Sequence, residues 1–456
     1  MTMKPNEVEL AWREHEGEVK HLARRYSYFK GQQSIAELEG PRIDGRVKTK
    51  AITNWVKYVV QTHVGFLLSN DLNYMASEGE SEAGVDELAR IYRLNALPSK
   101  DAQLLSDAIL YGKGVEVMSY DGTEIRFSRG NPANWAVIED EMGNIVYAIH
   151  KFIIKKGSVF AGLVVSEERE VYRVYDKDNV KIFEKKKDST GKRILMEADS
   201  YPHEYPSIPV IVYRATNSGD SFISDALLKQ CDTYDITRGA SADEIAHNVD
   251  SLMLMKGVDP EPLMEKDGQG VTVWERLKQM GLYCLPADEE GNYGDAEYLS
   301  RDVNVDKFRF DLTVTRASIH IMGAVPDLDE TIGGNDGTIT NISGVALQLL
   351  FYSMEMQSSE FRRNFELGLR QRIEMVNAIN SSLLRPLVGN YSINFNPALP
   401  RNLVELMQSM PHVAGVISQR DKLELLPNIK DIERTKREIR EESAIPVPEA
   451  QTGSSN

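Results

Sequence analysis

The sequence predicts an α+β fold. Three observations carry this reading: apolar residues three or four apart in long segments near both ends, short alternating runs between Gly112 and Tyr213, and a return to helical spacing from residue 221 with one small excursion. Apolar spacing near 3.6 residues marks a helix face, whereas alternation marks a strand with one face buried. The turn signals Asp121-Gly122, Gly143-Asn144 and 188–191 between the alternating runs make that block an antiparallel sheet.

Residues 7–30 carry Val8, Trp12, Val19, Leu22, Tyr26 and Phe29 among many charges, predicting an amphipathic helix that packs weakly or on a neighbour. Residues 50–73 have a fuller stripe, Ile52, Val56, Val59, Val60, Val64 and Leu67, and read as a core helix. Residues 85–111 give another, broken near Pro98. The runs VEVMSY, EIRFSR, WAVIED, IVYAIHKFII, REVYRVYD and VKIFEK follow as strands. Lys185, Lys186, Lys187, Lys192 and Arg193 sit in one hairpin and read as a solvated edge strand blunted by charge.

Residues 221–257 read as one long helix with a thin apolar stripe through Ile223, Leu227, Cys231, Tyr234, Ala242, Ile245, Val249 and Leu252. At about 1.5 Å per residue such a helix spans roughly 45 Å. So little apolar surface suggests packing between subunits. Residues 258–301 form a compact excursion with a short helix at 273–280 and an acidic loop, and 303–322 return to helix through Val305, Phe308, Leu312, Thr315 and Ile319. Gly, Asp, Asn and Thr dominate 323–344, a loop long enough to be functional. The strongest helix, 342–380, runs through Ile342, Ala346, Leu349, Ser353, Met356, Phe361, Phe365, Leu369, Ile373 and Val376. A strand YSINFN, a helical unit at 401–443 and a Pro- and Ser-bearing tail complete the chain.

The 456 residues suffice for two to four structural units at about 100–200 residues each. Sixty-nine Asp and Glu against 53 Lys and Arg give a net charge of -16. That balance argues against a protein that grips nucleic acid through a basic groove, where cations displace counterions from phosphate. Two cysteines, Cys231 and Cys284, make neither a zinc set nor a disulfide framework and fit a reducing compartment. The N-terminal residues have no apolar signal region, and no run has the roughly 18 apolar residues of a membrane span.

Catalytic motifs are absent from the sequence. The eight histidines form no metal-ligand pair; there is no Walker loop, no G-x-G-x-x-G and no G-x-S-x-G. Gly112 and Gly114 give a bare G-x-G, read as a helix cap leading into a strand. Asp327, Asp329 and Glu330, with Asp336 nearby, are spaced as a Mg²⁺ site would be, but no catalytic Lys, His or Arg adjoins them. No cofactor is expected.

The segments NWVKYVVQTHVGFLLSNDLNY (54–74), DAILYGKGVEVMSYDG (107–122), IPVIVYRATNSGDS (208–221) and the passage from GAVPDLDETIGGNDGTITNISG through RQRIE (323–374) occur in a characteristic order. In that order the chain resembles the portal, or head-to-tail connector, proteins of tailed double-stranded-DNA bacteriophages, in the siphophage branch, over residues 26–442. The resemblance implies a phage-portal architecture: an N-terminal helical segment (1–40), an α/β wing (41–220 and 342–400), stem helices at 221–256 and 302–323, a small α/β clip (257–301), a tunnel loop (324–341), a helical crown (401–445) and a disordered tail (446–456). It also implies a ring, typically of twelve subunits, at one capsid vertex, through which DNA is packaged and ejected.

The expected partners are other copies of the chain, double-stranded DNA in the channel, the terminase large subunit, head-completion or adaptor proteins, and the major capsid and scaffolding proteins, with no membrane. The expected location is the virion, with assembly in the host cytoplasm. Thr331, Ile332, Gly333, Gly334, Asn335, Asp336, Gly337, Thr338 and Thr340 are expected at the narrowest part of the channel. Lys229, Arg238, Lys307, Arg309 and Arg316 on the stem are expected to meet phosphates sparsely or to form ion pairs between subunits. Asp288, Glu289, Glu290, Asp295 and Glu297 are expected to dock the motor and adaptors. An acidic wall resists adhesion and lets DNA slide, with repulsion screened beyond about 8 Å. The alternatives are a metal-dependent phage enzyme using the Asp327 cluster on nucleic acid, or another structural adaptor of the virion.

Overall fold

The structure is a computed structural model and describes residues 3–33, 49–77, 81–160, 163–187, 193–203, 205, 207–249, 252–256, 263–264, 271–279, 282–285, 295–299, 305–327 and 344–397. The expected crown, the tail and the whole Thr331–Thr340 segment lie outside these residues. The chain divides into two compact units, one of Met1–Asp327 with Ser353–Ala398 and another of Leu328–Tyr352 with Leu399–Asn456. Of the second unit, only the helical residues 344–352 are described.

Helix α1 (Pro5–Lys30) starts where the Lys4 amide donates to the Glu7 carboxylate at 2.7 Å, and ends on Gly31 in the left-handed conformation at φ 71°. Of the two expectations, weak packing or packing on a neighbour, the structure shows the second, and the neighbour is a sheet of the same chain. Val8 and Trp12 are buried with Ala136, Ile149, Tyr172, Val174, Phe183 and Leu195 of a five-stranded sheet. That sheet is antiparallel and in chain order: β4 (Trp135–Glu139), β5 (Ile145–Phe160), β6 (Leu163–Tyr175), β7 (Asn179–Lys187) and β8 (Arg193–Pro202). Its opposite face carries Trp135, Ala148, Tyr175 and Val180, which pack on Val115, Ile208 and Val210. Successive residues alternate between two apolar cores, as the period of a strand requires.

β7 pairs with β8 along its length but with β6 only from Val180 to Glu184, so Lys185, Lys186 and Lys187 run past the β6 ladder and have one open edge, in line with the edge reading. The Lys185 ammonium lies 2.9 Å from Glu170.

A second sheet joins β2 (Gly114–Tyr120) to β3 (Ile125–Gly130) and β9 (Val210–Tyr213), all antiparallel. Helices α3 (Ala83–Asn95) and α4 (Leu97–Tyr111) pack on it, and α2 (Trp55–Leu68) packs on α4. The break between α3 and α4 falls at Ala96, left-handed at φ 49°, with Pro98 in the first turn of α4 where its missing N–H costs nothing. Gly112 closes α4 at φ 88°, and a Cβ there would lie 2.5 Å from the Gly219 carbonyl, so the cap reading of this glycine holds for two reasons. A two-stranded antiparallel pair joins β1 (Asn73–Ala76) to β13 (Tyr391–Asn394).

Helix α5 (Asp225–Val249) is shorter than the single helix expected, because Leu252–Lys256 is a strand, β10. It pairs in parallel with β11 (Leu282–Leu285) and antiparallel with β12 (Asp295–Leu299); together with α6 (Val273–Gln279) they form the small α/β excursion. Helix α7 (Val305–Met322) returns from it.

Helix α8 (Gly344–Ser382) has 39 residues, about 58 Å at 1.5 Å each. Its buried side is Met354, Ser358, Phe361, Phe365, Leu369, Arg372, Ile373 and Val376, so the expected stripe holds from Phe361 onward; Leu349 and Met356 are exposed. Arg372 is the surprise, a fully buried guanidinium at a core position. Its Nη2 donates to Asp101 Oδ1 of α4 at 2.7 Å, its Nε to Glu116 Oε2 of β2 at 2.8 Å, and its Nη1 to the Tyr92 hydroxyl of α3 at 3.0 Å. The Tyr213 hydroxyl of β9 donates to Glu116 at 2.7 Å, and the Tyr74 and Tyr92 hydroxyls bond to each other. The guanidinium also lies over the rings of Tyr92, Phe127 and Tyr213. One cation thus fixes α8 to the helices and the sheet beneath it.

Candidate functional site

The stem expected from the sequence is the helix pair α5 and α7, which pack on each other. Trp55, at the start of α2, meets both edge-on, with its ring 5.3 Å from Tyr234 and 5.5 Å from His320. α1 grips the first turns of α5: the Tyr28 hydroxyl donates to Asp232 at 2.7 Å, Arg25 Nε donates to the Ile223 carbonyl at 3.0 Å, and Arg24 pairs with Asp225 at 3.5 Å.

The middle of α5 is covered by residues 49–53 of the same chain. The Thr53 amide donates to Asp235 Oδ1 and the Thr49 amide to Asp243 Oδ1, both at 2.9 Å. Midway between the two carboxylates stands Gly239, where a Cβ would lie 2.6 Å from the Thr49 carbonyl. Glycine is therefore what allows the strap to lie against the helix. Gln33 Nε2 donates to the Thr53 carbonyl at 3.2 Å from the other side.

Burial without a full set of partners raises the Asp235 carboxyl to about 6. A folded-state pKa above the unfolded value of about 3.9 means stability that is complete at low pH and lost as pH rises through 6. Asp235→Asn keeps the acceptor for Thr53 and removes the charge. It is expected to be more stable than the parent by about 1–3 kcal/mol at pH 7.5, with the gain fading by pH 4, measured as urea melts across pH.

The last turn of α7 is held firmly. The Gly323 amide bonds to the Ile319 carbonyl at 2.8 Å and the Val325 amide to the His320 carbonyl at 3.0 Å, with Ala324 left-handed at φ 46°. His320 Nδ1 donates to the Pro326 carbonyl at 3.0 Å, and Arg316 pairs with Asp327 at 3.2 Å. From α2, His63 Nε2 donates to the Gly323 carbonyl at 2.8 Å, with the Ser358 hydroxyl of α8 at 3.4 Å from Nδ1. Buried between Phe222 and Phe361, this imidazole is pushed down to about 4 by desolvation and stays neutral.

The predicted residues distribute unevenly. Lys229, Lys307 and Arg309 are exposed on α5 and α7. Arg238 is exposed too, but its Nη1 donates to Thr53 Oγ1 at 2.9 Å, and Arg316 is half-buried against Asp327, so these two of the expected cations are engaged within the chain whatever the others meet. Asp295 and Glu297 stand on β12, opposite Lys256 and Leu254 of β10. Asp288, Glu289 and Glu290 lie outside the described residues, as do Asp329, Glu330 and Asp336. Among the described residues no three His, Cys, Asp or Glu are grouped to hold a metal ion.

The arrangement is one of packing and anchoring: two helices with exposed apolar and basic positions, braced from within their own chain. The family model of phage portal proteins of the SPP1 Gp6-like type matches residues 9–444. The chain belongs to this family. Portal proteins of this family are structural components rather than enzymes. No curated protein sequence matches the chain. Among solved structures, the portal-family chain is similar to a chain of the neck of an empty GTA particle computed with C6 symmetry, at 15% identity and TM-score 0.42, covering 82% of this chain and 90% of that one. It is similar also to a chain of the virion of a native gene transfer agent particle, at 15% identity and TM-score 0.41, covering 89% and 92%.

Sequence reasoning missed the strap and the Arg372 network in this portal-family chain. The network left a faint signal: Arg372 interrupts the apolar face between Leu369 and Ile373, and Glu116 stands between Val115 and Val117 in a strand with buried residues on both faces.

Proposed function

We propose that the chain assembles into a closed ring, of twelve copies as the family resemblance implies, at one capsid vertex, and that the ring is the conduit for DNA during packaging and ejection. The family match over residues 9–444 carries this reading. The stem supports it. Phe310 and Val314 on α7 are 67% and 48% exposed one turn apart, and Ile236 and Ile245 on α5 are also exposed. Uncovered apolar side chains on a helix pair call for a neighbour, and a head-to-tail contact that closes by rotation supplies one for every copy.

The charge fits a conduit. A twelvefold ring carries twelve times the -16 of one chain, and with Arg238 and Arg316 held internally, few stem cations remain to bind phosphate. Such a wall releases few counterions and lets the duplex pass. The packaging motor and the adaptor proteins would dock at the acidic excursion around β12, and the loop from Thr331 to Thr340 would line the constriction. The ion pair of Asp327 with Arg316 disfavours the alternative of a metal-dependent nuclease built on Asp327.

Mass photometry and negative-stain imaging of the purified protein test the ring. Closed rings near twelve chain masses are expected, and Phe310→Asp with Val314→Asp should convert them to smaller species with unchanged far-ultraviolet circular dichroism. A parent protein that stays monomeric at micromolar concentration overturns the reading.

A further inference from the structure

β5 and β6 are far longer than the sheet that holds them. β5 pairs with β4 only from Ile145 to His150, and β6 with β7 only from Val171 to Tyr175. The β5–β6 ladder nevertheless continues from Ala148↔Tyr175 to Phe160↔Leu163. Residues 153–160 and 163–170 therefore form a two-stranded ribbon with no third strand on either edge among the described residues. At about 3.3 Å per residue it extends roughly 26 Å beyond the sheet. A lone two-stranded ribbon is marginal in water, and bare strand edges are normally shortened or covered.

The sequence along the ribbon is graded. At its root Ile153 and Ile154 are 53% and 44% exposed. In mid-shaft the register opposes Lys155 to Glu168 and Lys156 to Glu167, residue types whose formal charges cancel. At the end the register pairs are Val159↔Val164 and Phe160↔Leu163. Adjacent register pairs belong to opposite faces of a ribbon, so both faces of the tip carry apolar residue types. A hairpin that only shelters one side on its own domain needs one apolar face; two suit an end inserted into a partner.

We infer that the β5–β6 ribbon is an arm by which one copy of this chain docks on the next, its tip residues Val159, Phe160, Leu163 and Val164 seated on an apolar helix face of that second copy. The inference rests on the ring reading above. A shaft with lysines matched by Glu167 and Glu168, followed by Glu170, does not suit DNA or an anionic lipid surface, both of which select cations. The chain itself displays apolar helix positions of the required kind: Phe310 and Val314 on α7, Met356 and Leu367 on α8. In a head-to-tail ring every tip meets one such face, at a ratio of one to one.

The test uses full-length protein with p-benzoylphenylalanine in place of Phe160, irradiated after assembly. Covalent dimers on a denaturing gel, with the cross-linked peptide mapped to another copy's helix, are expected. A second variant, Phe160→Asp with Leu163→Asp, is expected to raise the concentration needed for assembly about tenfold or more while circular dichroism is unchanged. Intact rings that give no interchain cross-link, or a double variant that assembles at the parent's concentration, overturn the arm and leave the ring standing. A parent protein that never assembles overturns both.

Discussion

Arg372→Met is expected to lower stability by about 3–5 kcal/mol, the cost of leaving a buried charge without its partner. The guanidinium is fully buried, and Asp101 and Glu116 are its two ion-pair partners at 2.7 and 2.8 Å. Two carboxylates against one guanidinium already leave this site short of positive charge. Burial holds the Asp101 carboxyl up at about 6 even with Arg372 beside it. Without the arginine, both acids would have to take up protons or admit water. The triple replacement Arg372→Met, Asp101→Asn, Glu116→Gln should recover much of the loss, because a buried ionic network exchanged for neutral groups of similar volume is often nearly neutral in energy. Chemical denaturation at fixed protein concentration measures both variants. A single variant within about 1 kcal/mol of the parent would show that the network contributes little.

Phe361→Ala is expected to cost about 3–5 kcal/mol through loss of buried surface and the cavity left behind. Its ring is fully buried, 5.1 Å from both His63 and Phe222 in edge-to-face geometry. The substitution has a second readout. His63 stays neutral because it is desolvated, so opening its surroundings should return the imidazole from about 4 toward 6.5, which nuclear magnetic resonance can follow in the folded protein. A large loss of stability with no movement of that titration would mean that the core closes over the gap.

Much of the fold was legible in the sequence because local periodicity and burial agree over long stretches. Helix α8 spans Gly344–Ser382 against an expected 342–380, and α7 spans Val305–Met322 against 303–322. The antiparallel runs are equally local, joined by turns whose residues announce themselves. What escaped depends on partners distant in the chain. Leu252–Lys256, sequence LMLMK, consists of good helix formers and continues the stripe of α5, yet it is a strand because β11 and β12, some 30 to 40 residues later, supply its ladder. The thin stripe of α5 pointed to neighbouring subunits, whereas part of that helix is covered by residues 49–53, through main-chain amides that leave no trace in side-chain pattern. Arg372 was missed because a helical period counts apolar residues and treats a buried cation as an exposed one. Of the positions expected for charge, Lys229, Lys307 and Arg309 are exposed on α5 and α7, while Arg238 bonds to Thr53 and Arg316 pairs with Asp327 of the same chain.

The strap on α5 works as a vernier between two scales. The four steps from Thr49 to Thr53 can reach about 13 Å at full extension, and the eight helical steps from Asp235 to Asp243 cover about 12 Å, so both bonds close together. A slip of one strap residue moves each amide by about 3.3 Å, beyond the reach of its carboxylate, and brings the strap away from the one glycine that admits it. The two scales therefore coincide at a single setting. Any axial displacement of α5 must carry Thr49–Thr53 with it, and with them the start of α2, whose Trp55 meets both α5 and α7.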